Sequence, residues 1–166
     1  GKGLVICVAA GNNNAPIKDL TNNKPYRYLD GRNVRSYAGP IDRWIAAHPE
    51  VITVGASTSL KRRAAYSSWG KELDIAAPGG DKSQGEEAGI LQNTIAPGDY
   101  TKSVYAYYQG TSMATPHVAA VAALLYASGA KNPDQVEKAL FASAHPPEGK
   151  SGWSDTYGHG VMDAQA

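Results

Sequence analysis

Gly110-Thr111-Ser112-Met113-Ala114-Thr115-Pro116-His117, running on into Val118-Ala119-Ala120-Val121-Ala122-Ala123-Leu124-Leu125, decides how the chain is read. Upstream of it, Val104, Ala106 and Tyr108 alternate with Tyr105, Tyr107 and Gln109, the period-two pattern of a strand that stops at Gly110. Downstream, the pattern predicts a helix from about Ser112 to Ser128. Pro116 falls in its opening turn, where a missing N–H costs little, and Gly129 ends it. The body from Val118 to Leu125 has no polar side. That predicts a helix buried in the interior, not laid on the surface. Ser112 therefore stands at a strand-to-helix junction, where the first N–H groups of the helix point at any anion formed beside it. Local physics leaves two readings open, a plain N-cap serine or a nucleophile.

Working outward, Leu4 to Ala9, Val51 to Val54 and Leu73 to Ala76 are short apolar runs bounded by turn residues. Continuous hydrophobicity of this kind predicts strands of a parallel sheet covered on both faces. Asn132-Pro133-Asp134 offers an N-cap with proline at the first helical position, opening a second helix to about Ala144 before Pro146-Pro147. The expected fold is a three-layer α/β domain with a mainly parallel sheet. Gly11 to Glu50 reads as a long loop, with Asp42 to Ala47 suited to a helical turn, and Gly79 to Gly89 as a polar, acidic one.

Composition bounds the function. The 166 residues, 42% of them hydrophobic, suffice for one ordinary core. Sixteen Lys and Arg against 15 Asp and Glu leave +1, which excludes a nucleic-acid binder working by bulk charge. The basic groups Arg27, Arg32, Arg35, Lys61, Arg62 and Arg63 read as solvated loop charges with local influence on substrate choice. Cys7, the single cysteine, cannot form an internal disulfide and says nothing of the compartment. The Leu4 to Ala10 run, with Lys2 before it and small residues after it, resembles a signal peptide but is at the lower length limit and lacks an initiator methionine, so none is expected, and no apolar run reaches the roughly 20 residues of a membrane span. A chain that opens on a buried-strand pattern is expected to begin inside a larger protein. The histidines His48, His117, His145 and His159 lack zinc-ligand spacing, so no cofactor is expected for the chemistry.

Gly110 to Ala119 resembles the active-serine signature of the subtilisin-like serine proteases. Ala120 departs from the glycine usual in that family. Val8-Ala9-Ala10-Gly11-Asn12 is similar to the family's strand end that carries the oxyanion-hole asparagine. Weaker matches follow in family order: His48 to Ala56, Tyr66 to Gly70, Leu73 to Gly79 and Tyr157 to Ala164. The resemblance implies an endopeptidase acting on polypeptides. Ser112 would be the nucleophile, with Asn12 Nδ2 and the Ser112 N–H as the oxyanion donors. Ala9, Ala10 and Gly11 would line the pocket for the residue before the cleaved bond, part of which should come from the Gly11 to Glu50 segment. It also implies secretion; Asp74 resembles an aspartate that in some members of the family holds a structural calcium with the carbonyls of Pro49 and Val51, its shell completed by water, and reads otherwise as a hydrogen-bonding residue at a strand start. Met113, beside the nucleophile, would be the point at which oxidants act.

The family's catalytic aspartate and histidine belong to motifs that precede the asparagine motif, and neither has a counterpart here. His117 belongs to the serine signature and is not the expected base. A hydroxyl without a base is a poor nucleophile near neutral pH. Residues 1–166 are thus expected to be the C-terminal half of a catalytic domain whose N-terminal portion supplies Asp and His. Two other readings stay open. One is an inactive pseudoprotease that binds peptides. The other is an α/β-hydrolase with Ser112, Asp155 and His159 in the serine, acid, histidine order, although Ala114 departs from its G-x-S-x-G elbow.

Overall fold

A computed structural model describes residues 3–22, 26–30, 33–147 and 152–165. Arg32 lies outside the described residues. Three parallel strands, β1 (Cys7–Ala9), β6 (Ile52–Ser57) and β7 (Ile75–Pro78), form the central sheet in the order β1-β6-β7. Cys7 pairs with Ile52 and Val54 with Ile75. All six residues of β6 are buried, which is why its sequence runs apolar without alternation. The three expected strands exist, each starting later in the chain than its apolar run. Leu4 and Ile6 are 76% and 52% exposed, so the opening of the first run lies along an open sheet edge instead of inside the core.

Helix α1 (Thr111–Ala127) packs on the sheet and helix α2 (Pro133–Ser143) packs on α1. Asn132 caps α2, its side chain accepting from Gln135 N at 2.9 Å. The main core joins Val54, Ala56, Ile75 and Ala77 of the sheet to Ala114, Val118 and Ala122 of α1 and Val136 and Leu140 of α2.

Two expectations need correction. First, α1 is not enclosed on every side. Thr111, Ala114, Val118 and Ala122 are buried, at the spacing of one helical stripe, while Ala119, Ala120, Ala123 and Leu124 are exposed. An all-apolar helix body is one-sided here because only one of its faces meets the sheet. Ala120 is exposed among the described residues. Second, the Gly11 to Glu50 segment is not structureless. It holds β2 (Lys18–Asp19), paired with β5 (Ile41–Asp42), and between them the hairpin β3 (Tyr26–Asp30) and β4 (Asn33–Tyr37).

The alternating Val104 to Gln109 run is the end of a long strand β9 (Asp99–Tyr108), outside the parallel sheet. It pairs antiparallel with β8 (Ile90–Ala96) across the turn at Pro97-Gly98, where Gly98 takes φ +80. A Pro-Gly pair between two alternating runs is a hairpin signal, and the clean period two marks a ribbon with one face open to water.

Candidate active site

The sheet carries two chain segments to its C-terminal edge. Ala10 continues β1, its N–H bonded to Val54 O at 2.9 Å, and the chain then turns at Gly11, φ +108, to present Asn12. The next neighbour strand, β7, ends at Pro78. Gly79 O accepts from Gly110 N at 2.9 Å and also from the Tyr66 hydroxyl at 2.8 Å. Burial pushes that hydroxyl up to about 12, which keeps it a donor. The turn before α1 is thereby fixed against the strand end.

Thr111 ties the two segments together. Its N–H and its hydroxyl both donate to Asn12 Oδ1, at 2.8 and 2.9 Å, and Gly11 N donates back to the hydroxyl oxygen at 3.2 Å. Two donors on one oxygen orient the amide and leave Nδ2 for another acceptor. A methyl group on Gly110, φ +152, would lie 3.3 Å from Asn12 Nδ2 and 3.6 Å from Ser112 N. Both donors therefore border the space that this glycine leaves empty.

Ser112 is exposed and is the second residue of α1. The N-cap position belongs to Gly110, with no side-chain capping bond, so the plain capping reading of Ser112 does not hold. Among the described residues its hydroxyl has no hydrogen-bond partner. His117 does not serve it, because its Nδ1 lies 2.8 Å from Met113 O one turn back.

The hydrolase constellation is not assembled. The His159 ring stacks on Phe141 at 4.1 Å, and His159 N donates to Asp74 O at the start of β7. Ser112 belongs to the other end of that strand, beyond Gly79. Five residues of extended chain, at about 3.3 Å each, separate the two ends by roughly 16 Å. Asp155 bonds its neighbour Thr156.

Ala9 and Ala10 line a shallow cleft of about 300 Å³ together with Val8 and the segment Arg43 to Ala46. The segment between β1 and β6 forms one wall of this cleft. Sequence reading missed Arg43. Its Nη1 and Cζ would lie 2.9 and 3.2 Å from a Cβ on Gly11, so only glycine lets the guanidinium lie against that backbone.

Asp74 sits in a second cleft of about 470 Å³ with Pro49, Val51, Glu72, Lys18 and Lys71. Its Oδ2 accepts from Thr53 N at 2.7 Å. Burial pushes the carboxyl up to about 6, with the nearby Glu137 charge adding to the rise and the Thr53 bond opposing it. Both Glu72 carboxylate oxygens are buried without a hydrogen-bond partner. Among the described residues no three His, Cys, Asp or Glu side chains cluster as metal ligands.

The profile of the Subtilase family matches residues 1–160, and the chain belongs to that family. It is 32% identical over 164 residues to the subtilisin of Bacillus pumilus, covering 99% of this chain and 46% of that protein. Proteinase R of Parengyodontium album is 38% identical over 127 residues, covering 76% of this chain and 23% of that one. Among solved structures, a protease from Pseudoalteromonas arctica superposes with TM-score 0.71 at 29% identity, over 98% of this chain and 41% of its own. The epidermin leader peptide processing serine protease of Staphylococcus aureus superposes with TM-score 0.67 at 26% identity, over 96% and 39%. The fold is the subtilisin-like α/β fold, and these relatives are serine proteases. The chain spans less than half the length of these relatives. Among the described residues no helix is long and apolar enough to cross a membrane.

Proposed function

We propose that this chain is the nucleophile and oxyanion side of a secreted serine endopeptidase, completed by an N-terminal portion of the same catalytic domain carrying the Asp and His. The observation that carries the reading is the convergence of Asn12 Nδ2 and Ser112 N on the open space beside Gly110. In the reaction the Ser112 oxygen bonds to the scissile carbonyl carbon as the histidine takes its proton. The carbonyl oxygen becomes an anion facing the two donors, which cost no reorganisation because Thr111 already holds Asn12. The histidine then protonates the leaving amine, and water hydrolyses the acyl-enzyme.

Two exposed features support the missing portion. The outer edge of β1 has no described strand beside it, and a groove of about 310 Å³ runs between Leu4, Val5 and Cys7 and the Thr115, Ala119, Ala123 face of α1. An unpaired strand edge beside an apolar helix face suits an added strand and helix. Secretion is supported by relatives such as the extracellular protease of Xanthomonas campestris.

A structural calcium at Asp74 belongs to the same reading. Oxygen donors suit the ion, and an uncompensated buried carboxylate would be relieved by it, although Lys18 and Lys71 border the cleft.

Titration of the full-length protein with a serine-reactive fluorophosphonate tests the reading. Stoichiometric labelling, lost in Ser112→Ala, is expected. A full-length chain that folds yet leaves Ser112 unlabelled would make it a pseudoprotease.

A further inference from the structure

We infer that Arg43 makes this protease select peptides with an acidic residue, glutamate or aspartate, on the amino side of the cleaved bond. The inference rests on the protease reading above and on the cleft lined by Ala9 and Ala10 being the pocket for that residue.

The cation stands against the wall that leads into Asn12. Its Nη1 lies against Gly11, and its Nη2 donates to Asn13 Oδ1 at 2.8 Å, so the guanidinium flanks Asn12 from both sides in the chain. It is held there by its own backbone as well, Arg43 N donating to Ile17 O at 3.1 Å. The position is therefore built, not a surface side chain free to swing.

Its charge is uncompensated. Among the described residues no carboxylate lies within ion-pair distance of Arg43, since the nearby Asp42 pairs with Lys18. The Nε atom is buried with no hydrogen-bond partner, and of the five donors only one has an acceptor. The remaining cleft surface is Val8, Ala9, Ala10, Trp44, Ile45 and Ala46, with no acceptor side chain. Small residues leave room for a substrate side chain beside the cation. A carboxylate offers a guanidinium both an opposite charge and an acceptor oxygen.

The test compares fluorogenic peptides identical except for Glu, Gln, Leu or Phe before the cleaved bond, using the full-length protein near neutral pH. We expect kcat/KM for Glu to exceed that for the isosteric Gln by about tenfold to a hundredfold, the range for a hydrogen bond to a charged group. In Arg43→Gln the Glu to Gln ratio should fall to about one. Arg43→Lys should keep part of the ratio. A wild-type ratio near or below one, or a ratio unchanged in Arg43→Gln, would overturn the inference and leave the protease reading standing. No turnover of any peptide together with no fluorophosphonate labelling of Ser112 would sink both. The wild-type ratio needs no variant, so a poorly folding substitution does not block the test.

Discussion

Thr111 and Asn12, ninety-nine residues apart in sequence, are joined twice, by the Thr111 N–H at 2.8 Å and its hydroxyl at 2.9 Å on the one oxygen Asn12 Oδ1. The same hydroxyl accepts from Gly11 N, so a single fully buried threonine sets the direction of the asparagine and anchors the residue before it.

Replacing Thr111 by valine keeps the shape and removes the hydroxyl. Asn12 then retains one of its two tethers, and Gly11 N loses its acceptor. We expect a stability loss of about 1–3 kcal/mol from the unsatisfied donor, and roughly tenfold slower labelling of Ser112 by a fluorophosphonate. Thr111→Ser, which keeps the hydroxyl, should restore most of the rate. Melting curves and labelling rates on the full-length protein check both. Equal labelling in Val and Ser variants would remove Thr111 from any role in positioning Asn12.

Asn12→Ala should act on turnover more than on binding. The substrate carbonyl gains its negative charge only as the transition state forms, so the donor matters most there. A loss of about 10²–10³ in kcat is expected, a magnitude borrowed from the deletion of the oxyanion asparagine in a subtilisin, a relative of this chain. KM should change little. A comparable rise in KM at constant kcat would mean that Asn12 binds substrate instead of stabilising the anion.

The parts of this site that lie in one piece of sequence were legible, and the parts assembled from distant pieces were not. Ser112 and Asn12 each sit in a compact run of small residues, and the buried strands announce themselves because every residue of a central parallel strand is covered. The Thr111 clasp could not be read, since threonine before a helix is equally at home as a capping residue. Arg43 was lost among the other arginines, because nothing local separates a cation packed on a glycine from one in water. Only the missing side chain of Gly11, far upstream, makes its place. The β8 and β9 hairpin was half read. Its second strand alternates plainly, whereas Ile90 to Ala96 carries Gln92, Asn93 and Thr94 in its middle and passes for loop unless the Pro97-Gly98 turn is weighed.

Met113 follows Ser112 in α1, half-buried, with its carbonyl tied to His117. Oxidation would add a polar oxygen to a thioether one residue from Ser112, the proposed nucleophile. Peroxide treatment should therefore lower kcat markedly, about tenfold on the scale of an active-site misplacement of an ångström or less. Met113→Leu should resist the treatment. Full activity after stoichiometric Met113 sulfoxide formation, verified by mass spectrometry, would exclude it as the oxidant-sensitive position.

Asp74 makes a pH prediction whose sign follows from its environment. Its carboxyl ionises near 3.8 in the unfolded chain and at about 6 in the fold. The folded state thus binds more protons between those values, so metal-free stability should fall as pH rises through that window. Above it the fold carries the full penalty of an ionised buried carboxylate, on the order of 2 kcal/mol. Asp74→Asn keeps an oxygen for Thr53 N and removes the charge. In EDTA at pH 8 the variant should melt about 4–8 °C above the wild type, and the two should converge below about pH 4. Millimolar calcium at pH 8 separates the two origins of the penalty. A bound ion would stabilise the wild type and leave the asparagine variant largely unmoved, because the variant has lost the one charged ligand proposed for the site. An equal calcium shift in both proteins would place the ion elsewhere and leave Asp74 as a destabilising buried acid.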